Sequence, residues 1–373
     1  MICCTANSSE IANGDEEEGP CPLSGIEFPV DIYTYVLDIT SIDTHLKTFS
    51  VWLEIGFMYD CCDYIRTFGY LVPESFVPKD LNIPFDIVNA KSMQNRSNNH
   101  YVHTGRKPQS IYKGGGGSKN FHLEPMKKTD VQTHPNQYWK HEVKTLVLEC
   151  SYEHQEEVAP FDELYLVMKI ITSSCHPGTE LIRFNFKKDE SFFDGMKKSF
   201  QGFYPKPGTK PDTMNNDVTT GVAAAQVYSR LYIWSVYTTR PWECLLSHYV
   251  IPYLLFVFMV VGTPDQHPER LVGIASTLVV ANVALLIVSD NRVFSYKEQA
   301  VLLQIVLVVG STFFLVIFGY HMKLRIILGC IDGAILIILL LLHPYRASQK
   351  NKLLLKKVKT EMQGGGRFFL KSS

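Results

Sequence analysis

Four apolar runs, residues 244–261, 271–288, 300–320 and 324–342, crowd the last third of this 373-residue chain. Each is long enough for a helix rising 1.5 Å per residue to cross a hydrocarbon layer about 30 Å thick. Four runs of that length lead to the expectation of a membrane bundle. The polar links at 262–270 and 321–323 are short, which forces the helices they join to lie antiparallel. Pro252 falls inside the first run; in a membrane helix, neighbouring helices can satisfy the carbonyl it frees.

Upstream the pattern changes period. In residues 30–60 Phe49, Val51, Leu53, Ile55, Phe57 and Tyr59 recur at strict two-residue spacing, preceded by Val30, Ile32, Tyr33, Tyr35, Leu37 and Ile39. That alternation predicts strand, turn, strand. Residues 143–150, 164–172, 180–186 and 227–238 add further strands between Pro, Gly and Asn. Many short strands and no long helical period argue for an antiparallel β-sandwich. Residues 89–119, which include the Gly114–Ser118 run, and 205–221 read as loops. The expected organisation is a disordered amino terminus (1–27), a β-sandwich (28–240), a four-helix transmembrane domain (241–342) and a basic tail (343–373).

Lys plus Arg number 36 against 37 Asp plus Glu, so nothing in the charge balance calls for nucleic acid. The nine cysteines (3, 4, 21, 61, 62, 150, 175, 244, 330) lack the pair spacing of a zinc site. Cys61 and Cys62 read as small buried thiols, a disulfide to Cys150 or Cys175 being the alternative in an oxidising compartment. No paired carboxylates, histidine cluster or Ser-His-Asp order marks an enzyme, and no cofactor is expected. Residues 1–25 are acidic without an apolar run, so they do not read as a secretory signal peptide. Sequons at Asn7 and Asn95 allow an exported domain.

The second apolar run and its flanks read Pro268-Glu269-Arg270-Leu271-Val272-Gly273-Ile274-Ala275-Ser276-Thr277-Leu278, continuing to Ser289-Asp290 without a gap. This resembles the pore helix of pentameric ligand-gated ion channels. Arg240-Pro241-Trp242 and Ile251-Pro252 look like that family's entry to the first crossing. Ala159-Pro160-Phe161-Asp162 is similar to its Phe-Pro-Phe-Asp loop, and Phe85 with Asn89-Ala90 to its Phe-x-Asn-Ala strand. The cysteines that bracket this loop in eukaryotic members are replaced by Tyr152 and Leu166, so the chain is like the cysteine-free members. The resemblance implies a homo- or hetero-pentamer in the cell membrane, with the sandwich extracellular and a small-molecule ligand or protons opening a path for cations.

At 100° per residue Val272, Ser276, Val279, Val283, Leu286 and Asp290 fall within about 40° either side of one line. Five such stripes would make an apolar constriction between rings of Glu269 and Asp290. Glu269 stands where anion-passing relatives resemble Pro-Ala-Arg, which implies cation selectivity; pairing with Arg270 or capping the helix is the plainer reading. The resemblance also implies that Pro160, Phe161 and Asp162 couple the sandwich to the helices, with Asp162 paired to Arg240. Phe200, Phe203 and Tyr204 are candidate walls of a ligand site, and no tryptophan follows the 164–172 strand where a cage for amines would need one. His154, His176, Glu153, Glu156 and Glu157 are candidate proton sensors.

Residues 346–371 carry eight Lys or Arg and one acid. By the positive-inside tendency that tail, and with four crossings the sandwich too, would be cytoplasmic. The sequons and the resemblance point the other way, and the exported orientation is the expectation. A non-conducting four-helix receptor or adaptor is the competing reading, with Asn282 and Asp332 facing protein because they are costly in lipid.

Overall fold

The computed structural model describes residues 26–69, 72–108, 125–134, 138–172, 180–200, 202–220, 226–262, 268–288, 294–319 and 321–363. Its amino-terminal part is built from β1 (Ile26–Asp43), β2 (Thr48–Asp60), α1 (Cys61–Phe68), β3 (Ser75–Phe76), β4 (Phe85–Ile87), β5 (Ala90–Thr104), β6 (Met126–Lys127), α2 (Lys128–Thr133) and β7 (Tyr138–Ser151). It continues through β8 (Glu163–Thr172), β9 (Glu180–Phe186), β10 (Phe203–Pro205), β11 (Asp212–Thr220) and β12 (Gln226–Thr239). Two five-stranded sheets result, ordered β5-β7-β2-β1-β9 and β10-β12-β8-β4 with β11 also on β12, beside a two-stranded sheet of β3 and β6. They close on one apolar core, and this is the expected β-sandwich.

β2 is the clearest case of sequence becoming structure. Phe49, Val51, Leu53, Ile55 and Phe57 are fully buried and Tyr59 nearly so, because alternate residues of a strand share one face. β1 keeps that rhythm only as far as Val36, with Phe28, Val30 and Ile32 on the same buried face. Irregularities between Val36 and Asp38 and between Ile39 and Ser41 then shift its register, so Ile39 and Ile42 reach the core while Leu37 faces out. Asn89 stitches the sheets together: its amide donates to Ser151 O on β7 and Val167 O on β8, and its oxygen accepts from Lys169 N.

Several sequence expectations need correction. The 89–119 stretch contains β5, and the 205–221 stretch contains β11; both are edge strands, held by pairing with β7 and β12. Their polar sequences carry no apolar alternation because the exposed side of an edge strand buries little. Residues 114–118 lie outside the described residues. The sandwich is not wholly antiparallel, since β1 runs parallel to β9 from Ile26↔Glu180 onward; residues 26 and 27 are therefore strand, and 1–25 lie outside the described residues. Cys61, Cys62 and Cys150 are buried free thiols, and burial pushes Cys61 and Cys150 up to about 12.

Four helices follow that are long and apolar enough to cross a membrane: α3 (Pro241–Gly262), α4 (Pro268–Val288), α5 (Tyr296–Phe318) and α6 (Met322–Gln363). α3 contains a π turn at Leu246–Val250, just before Pro252. α5 begins with a capping box in which Ser295 and Glu298 cap each other's backbone. α6 overturns the expected tail: it runs 42 residues, carrying Pro344 inside it. The change from apolar to basic falls inside the helix, not at its end.

Candidate functional site: a pore stripe and its joint with the sandwich

On α4 the buried residues are Leu271, Ala275, Leu278 and Asn282, a single i, i+4, i+7, i+11 face turned to the chain's own bundle. The proposed pore stripe lies about 90° round the helix from that face at 100° per residue. Val272 and Val283 are 50% and 39% exposed; Ser276 is exposed, and Val279 and Leu286 are partly covered. Ser276 turns its hydroxyl back to Gly273 O at 2.8 Å, which Thr277 also reaches at 3.0 Å. Glu269 is exposed in the first turn, and Asp290 lies outside the described residues. Opposite the buried face stand Val280 and Ile287, 68% and 77% exposed.

Within the bundle Asn282, Gln304 and Asp332 are buried, one each from α4, α5 and α6. Along their helices they separate two apolar clusters: Phe256, Leu278, Val308 and Leu328 on one side, Tyr249, Ala300 and Leu336 on the other. Both expected polar positions, Asn282 and Asp332, thus face protein. Gln304 was not singled out by sequence, because one amide among apolar residues gives no periodic signal.

The joint between sandwich and bundle centres on the loop that contains Pro160, Phe161 and Asp162. Val158 is fully buried against Tyr296 of α5 and Ala347 of α6, with Phe161 packed beside them. Lys297 N donates to Ala159 O at 3.2 Å. The β1–β2 turn joins in, since Tyr152 N donates to Lys47 O at 3.2 Å and Lys47 pairs with Glu156 at 2.7 Å. Below the loop, Tyr249 of α3 lies 2.8 Å from His343 Nδ1 and donates to Tyr296 O at 3.2 Å. His343 stacks on Tyr296 with centroids 4.7 Å apart. Three of the four helices therefore meet beneath one loop.

The expected Asp162–Arg240 ion pair does not occur among the described residues. The Arg240 guanidinium lies 4.1 Å over the Tyr204 ring, a cation–π contact, while Thr239 donates to Pro160 O at 3.3 Å. Asp162 feels Lys297 instead; burial raises its carboxyl, and its own backbone amide and Lys297 pull the other way. Phe200 and Phe203 are packed against the sandwich core, and Tyr204 pairs with Thr238 at the last residues before α3. The aromatic trio thus sits partly buried at the end of the sandwich that leads into α3.

His154 stands 3.7 Å from Glu156; burial lowers its pKa, with Lys47 adding to this and Glu156 opposing it. Glu157 pairs with Lys350 of α6, Glu153 exchanges backbone hydrogen bonds with Tyr165, and His176 lies outside the described residues. The distal half of α6 was missed altogether in sequence. There Leu354, Val358 and Met362 pack on Tyr165, Val167, Tyr232, Trp234 and Val236 of the sandwich. Asn351 donates to Phe161 O at 2.9 Å and accepts from the Tyr165 hydroxyl at 3.0 Å. Lys359 lies 5.4 Å over Trp234. The signal was present as the spacing 343, 347, 351, 354, 358, 362, which continues the buried face of the membrane segment.

No protein-family model matches the chain, and no curated protein matches it.

Proposed function

We propose that this chain is one subunit of a pentameric, cation-selective channel opened by a ligand or by protons acting on the sandwich. The observation that carries the reading is the joint: one loop of the sandwich is seated on the start of α5 and on α6, directly beside the strand that leads into α3. A displacement of the sandwich would be handed to three helices at once, which a simple anchor does not need. The fourth helix, α4, keeps Val272, Ser276 and Val283 uncovered by its own bundle, as a wall shared between subunits requires. Five such walls would close by dewetting at their valines and leucine, with Glu269 attracting cations at one mouth.

A second reading is favoured by one feature. The most exposed residues of α4 are Val280 and Ile287 rather than the stripe, which would suit a lone bundle in lipid whose sandwich binds a partner without conduction. Recording from planar bilayers that hold the purified protein, while stepping pH and applying small amines and amino acids, separates the two. The channel reading expects stepwise cation currents; silence from intact pentamers under every condition favours the receptor.

A further inference from the structure

At the end of the sandwich away from the membrane, α2 closes the space between β5, β7 and the residues before β4. Its anchors point inward. Val131 is fully buried in the main core, Lys128 donates to Gly69 O at 2.7 Å, and β6 pairs with β3 through Phe76↔Met126. Between these anchors the lid does not fill the space beneath it. A cavity of about 390 Å³ remains, lined by Pro78, Val102, Met126, Lys127, Asp130 and Tyr138 among others.

The lining divides by chemistry. Val102 and Pro78 are buried and with Met126 give an apolar floor. Lys127 and Asp130 are exposed at the rim, and neither Lys127 Nζ, the Asp130 carboxylate nor the Tyr138 hydroxyl makes an ion pair or side-chain hydrogen bond among the described residues. Lys128, next in sequence, is engaged instead with the main-chain oxygens of Gly69 and Val72. A half-open cavity of this size, with an apolar floor and a few convergent polar groups, has the form of a small-molecule site.

We propose that this cavity binds a small zwitterion, an α-amino acid with an apolar side chain, whose carboxylate meets Lys127, whose ammonium meets Asp130 and whose side chain lies on Val102 and Met126. A ligand with only one charge leaves the opposite rim group unmatched as it is covered, which is how the site discriminates. The site is distinct from the joint and does not depend on whether the protein conducts.

The test is calorimetric titration of the full chain in detergent with phenylalanine, phenethylamine and 3-phenylpropanoate. The expected result is binding of phenylalanine at least tenfold tighter than either single-charge analogue, weakened at least tenfold by Lys127→Met and by Asp130→Asn. Both positions are exposed, and unaltered thermal unfolding of each variant verifies the fold. Absence of phenylalanine binding to the parent chain overturns the proposal. So does equal affinity for phenethylamine or 3-phenylpropanoate, or affinity for phenylalanine that survives both substitutions.

Discussion

The side-chain amide of Asn351 donates to the main-chain carbonyl of Phe161 at 2.9 Å, joining the last helix to the base of the sandwich across 190 positions of sequence. The same helix then buries Leu354, Val358 and Met362 on the sheet above. α6 is therefore both a member of the bundle and a clamp on the soluble domain. Two of the basic residues of this stretch are engaged here, Lys350 on Glu157 and Lys359 on the face of Trp234.

Leu354→Ala should destabilise the clamp by about 2 to 3 kcal/mol, the cost of emptying a buried leucine site. Asn351→Ala should cost about 1 kcal/mol by leaving the Phe161 carbonyl short of a donor. Denaturant unfolding followed on the sandwich checks both, and no change in either variant would mean that the distal helix does not hold the sheet.

Gly56 lies under the Tyr33 ring, and a Cβ there would overlap the ring. Tyr33 crosses that gap to hydrogen-bond His141. Gly56→Ala should therefore cost about 1 to 3 kcal/mol through overpacking and displace Tyr33 from His141. The check is the unfolding midpoint together with the His141 ring resonance.

The same histidine sets a pH dependence. Burial, helped by neighbouring His103, lowers His141 from 6.5 to about 3 in the folded protein. The folded state thus resists a proton that the unfolded chain accepts at 6.5, so stability is full above that pH and is lost as pH falls toward 3. About 1.4 kcal/mol goes with each pH unit inside this window. His154 and His103 shift in the same direction. Unfolding measured from pH 7 to pH 4 should show the slope, and His141→Gln should flatten it while keeping an acceptor for Tyr33.

Asp162 behaves in the opposite sense. Burial raises its carboxyl, so its favourable contribution is present below the unfolded value of 3.8 and is lost as pH rises through the folded one. Asp162→Asn should leave stability at neutral pH unchanged or raised. It should also alter the dependence of opening on ligand or pH, because the charge facing Lys297 at the joint is gone. Normal assembly with unaltered gating would remove Asp162 from the coupling path.

How far the sequence revealed this fold depended on whether each element buries a periodic face. β2 was legible residue by residue since all six of its alternating apolar residues enter the core. β5 and β11 were not, since their order comes from pairing with β7 and β12 rather than from their own side chains. The four crossings were legible from length and hydropathy, whereas the distal half of α6 was hidden by Pro344 and by the lysines between its buried positions. At the joint, sequence singled out Pro160, Phe161 and Asp162 but assigned Arg240 to the wrong partner. A cation–π contact with Tyr204 depends on how β10 lies against β12, which no local spacing encodes.

Reversal potentials under a salt gradient test the proposed cation channel most directly, comparing the parent protein with Glu269→Ala. A ring of five carboxylates at one mouth predicts reversal near the cation equilibrium potential for the parent and a shift toward zero for the variant. Reversal near the anion equilibrium potential, or a value unchanged by Glu269→Ala, would contradict the account.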